Sequence, residues 1–260
     1  MTFMKRNKKI LVANWKMNPD TLEEAKTIAE KIKKSVKNKK NLELIVCPPF
    51  IFMSEVANVF GSSKKLHIGA QDVFGGDSKS TTGEVSIQML ASSKVKYIIV
   101  GHSSRRNLGE TDEIVAEKVV GAIKSGMNVI LCVGENERNE SGQFYNFVKE
   151  QMLKSLSKIK REQLKKLIIA YEPVWAIGKR DNEAMMPEDL HEMVIYIRKV
   201  LSDKFGQENV SLIPILYGGS VSKRNVEGLA LKGEVSGLLV GRESLNTENF
   251  KDIIDILEFI

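Results

Sequence analysis

The chain has 260 residues and a formal net charge of +6, and 42% of its residues are hydrophobic while 28% are charged. This composition is typical of a globular protein with a sizeable core, and we expect a single domain over residues 1–260. A membrane-spanning chain is disfavoured because no stretch approaches the ~20 apolar residues of a span. A nucleic-acid-binding protein is disfavoured because the basic residues are spread along predicted helices, with only short clusters at 5–9 and 37–40.

Short apolar runs recur along the chain and predict eight β-strands. They cover Ile10–Trp15, Leu42–Cys47, Leu66–Ala70, Tyr97–Val100, Val129–Val133, Leu167–Tyr171, Leu212–Tyr217 and Val235–Val240. Most runs are continuously hydrophobic, which indicates strands that are buried on both faces, as in parallel sheets.

Amphipathic stretches between these runs predict helices at Thr21–Val36, Thr111–Lys124, Pro187–Leu201 and Phe250–Phe259. The second helix places one set of side chains on its buried face: Ile114, Val115, Lys118, Val119 and Ile123.

Repeated strand–helix units in about 250 residues favour an α/β fold, a closed (β/α)8 TIM barrel with eight parallel strands. The alternative is an open doubly wound sheet, which usually carries a G-x-G-x-x-G turn after its first strand, and this chain has none.

The two cysteines, Cys47 and Cys132, each lie inside an apolar run. We interpret them as small buried side chains of a reducing compartment, not as a disulfide or a metal pair. The N-terminal apolar run Ile10–Ala13 is too short for the core of a signal peptide. The expected localisation is therefore cytoplasmic, with no membrane partner.

In a barrel, the chemistry belongs at the C-terminal ends of the strands, and polar side chains follow the first and fourth of them. Asn14 and Lys16 alternate to the same side, so Lys16 either meets an anionic ligand or pairs with a carboxylate and only stabilises the fold. His102 follows strand four, where Ser103 and Ser104 could cap a short helix. A helix N-terminus disfavours a cation, so it would keep the imidazole of His102 neutral and able to donate to a carbonyl.

The other two histidines are not expected to take part in the chemistry. His67 lies within strand three and His191 lies on a predicted helix, and we interpret both as structural or surface residues.

Strand six ends in Glu172, and a proline and the bulky residues Val174, Trp175 and Ile177 follow it. Such apolar residues are costly in solvent, so the segment suggests a lid that folds over a site whose base is Glu172. The alternative is an ordinary strand end with a satisfied carboxylate.

The loops after strands seven and eight predict a phosphate site, because glycine lets backbone N–H groups approach phosphate oxygens closely. Strand seven leads into Gly218, Gly219 and Ser220, and strand eight leads into Gly241. A carboxylate, a neutral imidazole, a lysine and a phosphate cradle suit proton transfer beside the carbonyl of a small phosphorylated substrate. No metal cluster, Ser-His-Asp set or cofactor motif is visible, so we expect no metal and no cofactor.

These segments together resemble the triosephosphate isomerase family. The matching motifs are Asn14–Asn18, Gly101–Ser103, Ala170–Gly178 and Tyr217–Val221, with weaker matches at Gly69–Gln71, Thr82–Ser86 and Cys132–Glu135. The motifs occur in the family's order and extend along the whole chain. The resemblance implies an intramolecular aldose–ketose isomerase of glycolysis and gluconeogenesis, which interconverts dihydroxyacetone phosphate and D-glyceraldehyde 3-phosphate without a cofactor.

The resemblance also implies a role for each residue at the strand ends. Glu172 would move the proton between the two carbons, as in the worked example of this family. Neutral His102 would polarise the carbonyl, Lys16 would stabilise the developing negative charge, and Asn14 would help to position the enediolate. The phosphate would be bound by Gly178, Ser220, Gly241 and the backbone N–H of Arg242.

The family further implies a lid and a homodimer. The lid, residues 173–184, would close over the substrate and exclude water. The third loop, residues 72–84, would insert into the partner subunit, with Thr82 approaching the partner's active site. No nucleic acid is expected as a partner.

The chain departs from the family's pattern in three places. The family has His-Ser-Glu-Arg-Arg after strand four, whereas this chain has Ser104 in place of the glutamate that normally lies near the lysine. Arg242 replaces the second of two glycines after strand eight, and residues 179–184 do not match the family's hinge. Two rival hypotheses follow: a sugar-phosphate-binding protein without catalysis, and another phosphate-binding barrel enzyme.

Overall fold

Eight parallel strands close into a ring at the centre of the molecule. The structure is a computed structural model, and it describes residues 8–76, 80–93, 95–139, 141–179, 183–211 and 213–260. The strands are hydrogen-bonded to one another in sequence order, and the last pairs with the first, Leu11 beside Leu238 and Ala13 beside Val240. The prediction of a closed (β/α)8 barrel is confirmed, and the alternative of an open sheet is wrong.

The strands begin and end close to their predicted positions. They are β1 (Lys9–Asn14), β2 (Leu42–Cys47), β3 (Leu66–Ala70), β4 (Tyr97–Val100), β5 (Asn128–Val133), β6 (Leu167–Tyr171), β7 (Ile215–Tyr217) and β8 (Gly237–Val240). The largest difference is in β7, whose predicted first residue, Leu212, lies outside the described residues. The strand begins after Pro214 because proline has no N–H to donate to a neighbouring strand.

Helices follow the strands on the outside of the ring. They are α1 (Leu22–Val36), α2 (Met53–Phe60), α3 (Ile87–Ser92), α4 (Ser103–Arg106), α5 (Asp112–Lys124), α6 (Gln143–Ser155), α7 (Pro187–Phe205), α8 (Gln207–Val210), α9 (Val226–Leu231) and α10 (Thr247–Phe259). Helix α1 begins after a capping box, in which Thr21 and Glu24 each accept the other's backbone N–H at 3.3 Å. Within the described ranges, no helix has the length and apolarity needed to cross a membrane.

Two hydrophobic layers lie on either side of the strands. The outer layer fills the space between strands and helices, and the inner layer fills the barrel with Val12, Ile45, Cys47, Ile99, Ile130, Cys132, Ile168, Ala170, Leu216 and Leu239. Side chains two residues apart on a strand face the same way. Asn14 comes two residues after Val12, and Glu172 comes two residues after Ala170. Both side chains therefore point towards the barrel axis.

One core prediction on α5 is wrong. The side chains of Val115, Val119 and Ile123 are buried, but Ile114 is 45% exposed. Ile114 lies one helical turn before Lys118, and both residues border a surface cleft that Phe74 and Leu108 also line. This row of α5 therefore faces the cleft and not the apolar core.

A buried ion-pair network connects α5 with the loops after β3 and β4. Lys118 is 4% exposed and Glu110 is 9% exposed. The ammonium group of Lys118 contacts the carboxylate of Glu110 and lies 2.7 Å from Asp72 Oδ1. Asp72 also forms an ion pair with Arg105, whose Nε lies 2.9 Å from Asp72 Oδ2. The network therefore fixes the segment that follows β3 against the segment that follows His102.

We expect Lys118→Met to lower the free energy of unfolding by about 3–5 kcal/mol, because it leaves Glu110 as a buried charge without its partner. Urea denaturation followed by circular dichroism measures this change. The matched control is Lys158→Met, which breaks an ion pair with Glu117 whose two side chains are each 49% exposed. The control should cost at most about 1 kcal/mol. An equal loss of unfolding free energy in the two variants would contradict the conclusion that Lys118 stabilises the fold through a buried ion pair.

Candidate active site

A cavity of about 400 Å³ opens at the C-terminal ends of the strands. Most of the site residues that the sequence predicted contribute to its wall: Asn14, Lys16, His102, Gly178, Ser220, Gly241 and Arg242. They come from β1, β4, β7, β8 and the segment after β6, so the barrel brings together residues that are far apart in the sequence. Glu172 lies beside the cavity, within 3.4 Å of His102 Nε2.

The carboxylate of Glu172 is buried and turned towards the end of β4. Its Oε2 accepts the backbone N–H of Ser103 at 3.4 Å, and its Oε1 lies 3.4 Å from His102 Nε2 without the alignment of a hydrogen bond. The side chain is only 2% exposed. A rotation of this side chain away from Ser103 would bring a desolvated carboxylate over the cavity.

Close packing between β5 and β6 sets the backbone position of Glu172. Its N–H donates to Val133 O at 2.8 Å. A Cβ at Gly134 would lie 1.9 Å from Glu172 O, so only glycine fits there. Burial, and then the negative charge of Glu172 and a hydrogen bond with it, raise the pKa of the Cys132 thiol. The Cys132 thiol therefore stays protonated beside the Glu172 carboxylate.

The position of the proton on His102 follows from its hydrogen bonds. His102 Nδ1 accepts the backbone N–H of Ser104 at 3.1 Å, and Ser104 Oγ lies 2.7 Å from the same nitrogen. A nitrogen that accepts an N–H cannot carry a proton, so the ring is neutral with its proton on Nε2. The prediction that Ser103 or Ser104 caps α4 is wrong: His102 itself is the N-cap, because its ring nitrogen reaches the second N–H of the helix.

Lys16 lies beyond the end of β1. The strand ends at Asn14, and Lys16 has φ 54°, so the strand alternation that we used to orient Lys16 does not extend to it. Its position is set by local hydrogen bonds: its N–H donates to Asn14 Oδ1 at 3.1 Å, and its carbonyl accepts from Gln71 Nε2 at 2.8 Å. Both side chains still line the cavity.

The ammonium group of Lys16 forms no ion pair with any residue in the described ranges. The alternative that Lys16 pairs with a carboxylate and only stabilises the fold therefore has no support in this part of the chain. Ser104 supplies its hydroxyl to His102 and no charge to Lys16. An anionic ligand in the cavity would meet a lysine that is not already neutralised.

The segments after β6, β7 and β8 form the other side of the cavity. Gly178 has φ 73°, a conformation that favours glycine, and it follows the short 3-10 helix Val174–Ala176. Gly241 precedes another 3-10 helix, Arg242–Ser244, whose first N–H groups have no partner within the helix. Among the non-glycine residues that the structure describes, positive φ values occur at Lys16 and Glu234, so Arg242 takes the glycine position without backbone strain.

Glu135, which has no predicted role, anchors the beginning of the proposed lid. This buried carboxylate accepts from Tyr171 Oη at 2.8 Å, from Trp175 Nε1 at 2.9 Å and from Arg138 Nε at 3.0 Å. Burial, and then the charge of Glu135, raise the pKa of Tyr171. The signal in the sequence was the weak motif Cys132–Glu135. Residues 180–182 of the lid lie outside the described residues.

The remaining polar candidates lie away from this cavity. His67 is half-buried on β3 with Nε2 3.3 Å from Glu43 Oε1, and His191 lies on α7, so neither contributes to the site. Thr82 is exposed on the loop before α3 and does not line the cavity. Within the described part of the chain, no group of three or more His, Cys, Asp or Glu side chains is placed to hold a metal ion.

The chain matches known proteins along nearly its whole length. A sequence model of the family named triosephosphate isomerase matches residues 9–257. The triosephosphate isomerase of Cytophaga hutchinsonii is 39% identical over 250 residues, which are 95% of this chain and 98% of that protein. The triosephosphate isomerase of Caldanaerobacter subterraneus is 38% identical over 248 residues, again 95% and 98%. That of Dehalococcoides mccartyi is 40% identical over 246 residues, 94% and 95%. The chain belongs to the triosephosphate isomerase family.

Proposed function

We propose that this protein is a triosephosphate isomerase of glycolysis and gluconeogenesis, a single barrel domain over residues 1–260. It interconverts dihydroxyacetone phosphate and D-glyceraldehyde 3-phosphate and uses no cofactor. The observation that carries the proposal is the combination of Lys16 without an ion-pair partner among the described residues, a neutral His102 with its proton on Nε2, and a buried Glu172 beside them. Family membership supplies the independent support.

The proposed reaction moves one proton between neighbouring carbons. Glu172 leaves the N–H of Ser103, swings over the cavity and takes the proton from the carbon beside the carbonyl. The Nε2–H of His102 donates to the carbonyl oxygen, where negative charge develops. The same ring can then shuttle the proton between the two enediolate oxygens. Lys16 stabilises that charge, and Asn14 positions the intermediate.

Phosphate binding and lid closure hold the substrate in this geometry. Ser220, Gly241 and the backbone N–H of Arg242 bind the phosphate from the ends of β7 and β8, and Gly178 adds its N–H when the lid closes. The closed lid excludes water, which strengthens each electrostatic interaction and protects the enediolate from losing its phosphate.

We further propose a homodimer in the cytoplasm. A second cavity of about 350 Å³ lies next to the first, and Asn14, Lys16, Gln71 and Ser104 are part of its wall. Its wall includes large apolar side chains that are exposed: Met17 (89%), Leu108 (77%) and Phe50 (40%). The loop carrying Thr82 from a partner subunit would fill this cavity, cover the apolar side chains and support Asn14 from behind. The buried free thiols fit a reducing compartment.

We expect Glu172→Gln to lower kcat by about 10³-fold, because the amide keeps the shape of the side chain but cannot accept the proton. A coupled assay with D-glyceraldehyde 3-phosphate measures the rate. The control is Glu188→Gln, an exposed residue on α7 whose ion pair with Lys232 is far from the cavity. It should turn over at the rate of the unmodified protein. Equal rates for the Glu172 variant and the unmodified protein would show that another group is the base.

We expect Leu108→Glu to weaken self-association at least about tenfold, because it places a charge in the apolar surface around the second cavity. Sedimentation velocity over a range of protein concentrations measures the monomer–dimer equilibrium. The control is Ile195→Glu, which changes an exposed apolar residue on α7 that is 56% exposed. The proposed interface is wrong if the two variants associate equally.

A further inference from the structure

Arg242 brings a guanidinium group to the edge of the active-site cavity. The residue opens the 3-10 helix after β8, and its side chain is exposed and contributes to the cavity wall. A Cβ built on Gly178 would lie 3.7 Å from Arg242 Nη2. The side chain therefore extends from the end of β8 to the lid glycine, along the wall of the cavity.

The charges around Arg242 leave it available for an anion. It forms no ion pair with the residues that the structure describes. The charged side chains that share the cavity wall are Lys16, Lys179 and Glu243. The carboxylate of Glu243 is held by Asn249 Nδ2 at 2.8 Å, and the ammonium group of Lys179 lies 3.7 Å from Glu183. Positive charge thus predominates in the wall, which favours an anionic ligand.

We propose that the guanidinium of Arg242 is a direct ligand of the substrate phosphate and bridges β8 and the lid at Gly178. This inference rests on the proposed function, and it adds a side-chain contact to the backbone N–H groups of the phosphate cradle. A guanidinium presents a planar set of donors that matches two phosphate oxygens at once. The bound phosphate would then be held by backbone groups on one side and by Arg242 on the solvent side.

The contact should act on binding more than on the chemical step. The phosphate group keeps its charge throughout the reaction, so a ligand of the phosphate stabilises the bound substrate and the transition state almost equally. An interaction of this kind changes KM and leaves kcat much less affected. This pattern separates a phosphate ligand from a residue that acts on Glu172 or His102.

The test compares Arg242→Gln and Arg242→Lys with the charge-matched control Lys199→Gln, an exposed residue on α7 that pairs with Asp203 at 3.0 Å. Phosphorus NMR titration gives the dissociation constant for inorganic phosphate, and the coupled assay gives KM and kcat. Arg242→Gln should raise both the dissociation constant and KM about tenfold, the usual size of one lost charge-assisted hydrogen bond. Arg242→Lys should recover part of this loss, and Lys199→Gln should match the unmodified protein.

Two results would overturn the assignment. Arg242→Gln could bind phosphate as tightly as the unmodified protein, or Arg242→Gly could bind it more tightly, which would show that the side chain only crowds the site. The phosphate titration requires no turnover, so it separates the two proposals. An unmodified protein without isomerase activity but with phosphate binding that depends on Arg242 would contradict the proposed function and still support this contact. Unchanged thermal unfolding of each variant would show that the fold is intact.

Discussion

The hydrogen-bonded closure of the strand ring is the constraint on which the rest of the molecule depends. Because β8 pairs with β1, each strand has a neighbour on both sides, and its side chains can only point into the barrel or out to the helices. The inward side chains in the middle of the barrel are apolar, and polar ones lie at both of its ends. Glu43, His67 and Tyr97 interact near the beginnings of the strands, and Asn14 and Glu172 lie where strands end. The alternation that buries Val12 and Ala170 therefore also places Asn14 in the wall of the cavity and Glu172 beside it. The position of the site is a consequence of the fold.

Much of this arrangement could be predicted because it depends on short-range patterns. Continuous apolar runs gave the ranges of β2, β3, β4 and β6 without error, and the polar residues after the strands pointed to the correct mouth of the barrel. The chemical roles of Glu172, His102, Lys16 and Asn14 stay predictions, and so do the phosphate contacts and the interface role of Thr82. Their geometry is compatible with those roles.

The details that could not be predicted depend on hydrogen bonds between distant or irregular segments. The N-cap of α4 is an imidazole and not a serine hydroxyl, because the ring of His102 folds back onto its own helix. The backbone position of Lys16 depends on a positive φ and on a hydrogen bond from Gln71, the residue that follows β3. Glu135 belongs to a motif that matches the family only weakly. The three side chains that donate hydrogen bonds to its carboxylate come from separate positions in the sequence, so no local pattern identifies them. Ser104 likewise has a partner, His102, that only the coordinates identify.

The anchoring of the lid by Glu135 has an optical consequence. The chain contains two tryptophans. Trp15 is completely buried, whereas Trp175 is half-buried in the lid and donates its indole N–H to Glu135. Trp15 lies outside the lid, so a movement of the lid would change the surroundings of Trp175 more than those of Trp15. Trp175 would then dominate the shift in intrinsic fluorescence. The protein thus carries its own spectroscopic reporter on the segment for which we propose closure, and fluorescence would follow that movement in real time without an attached dye.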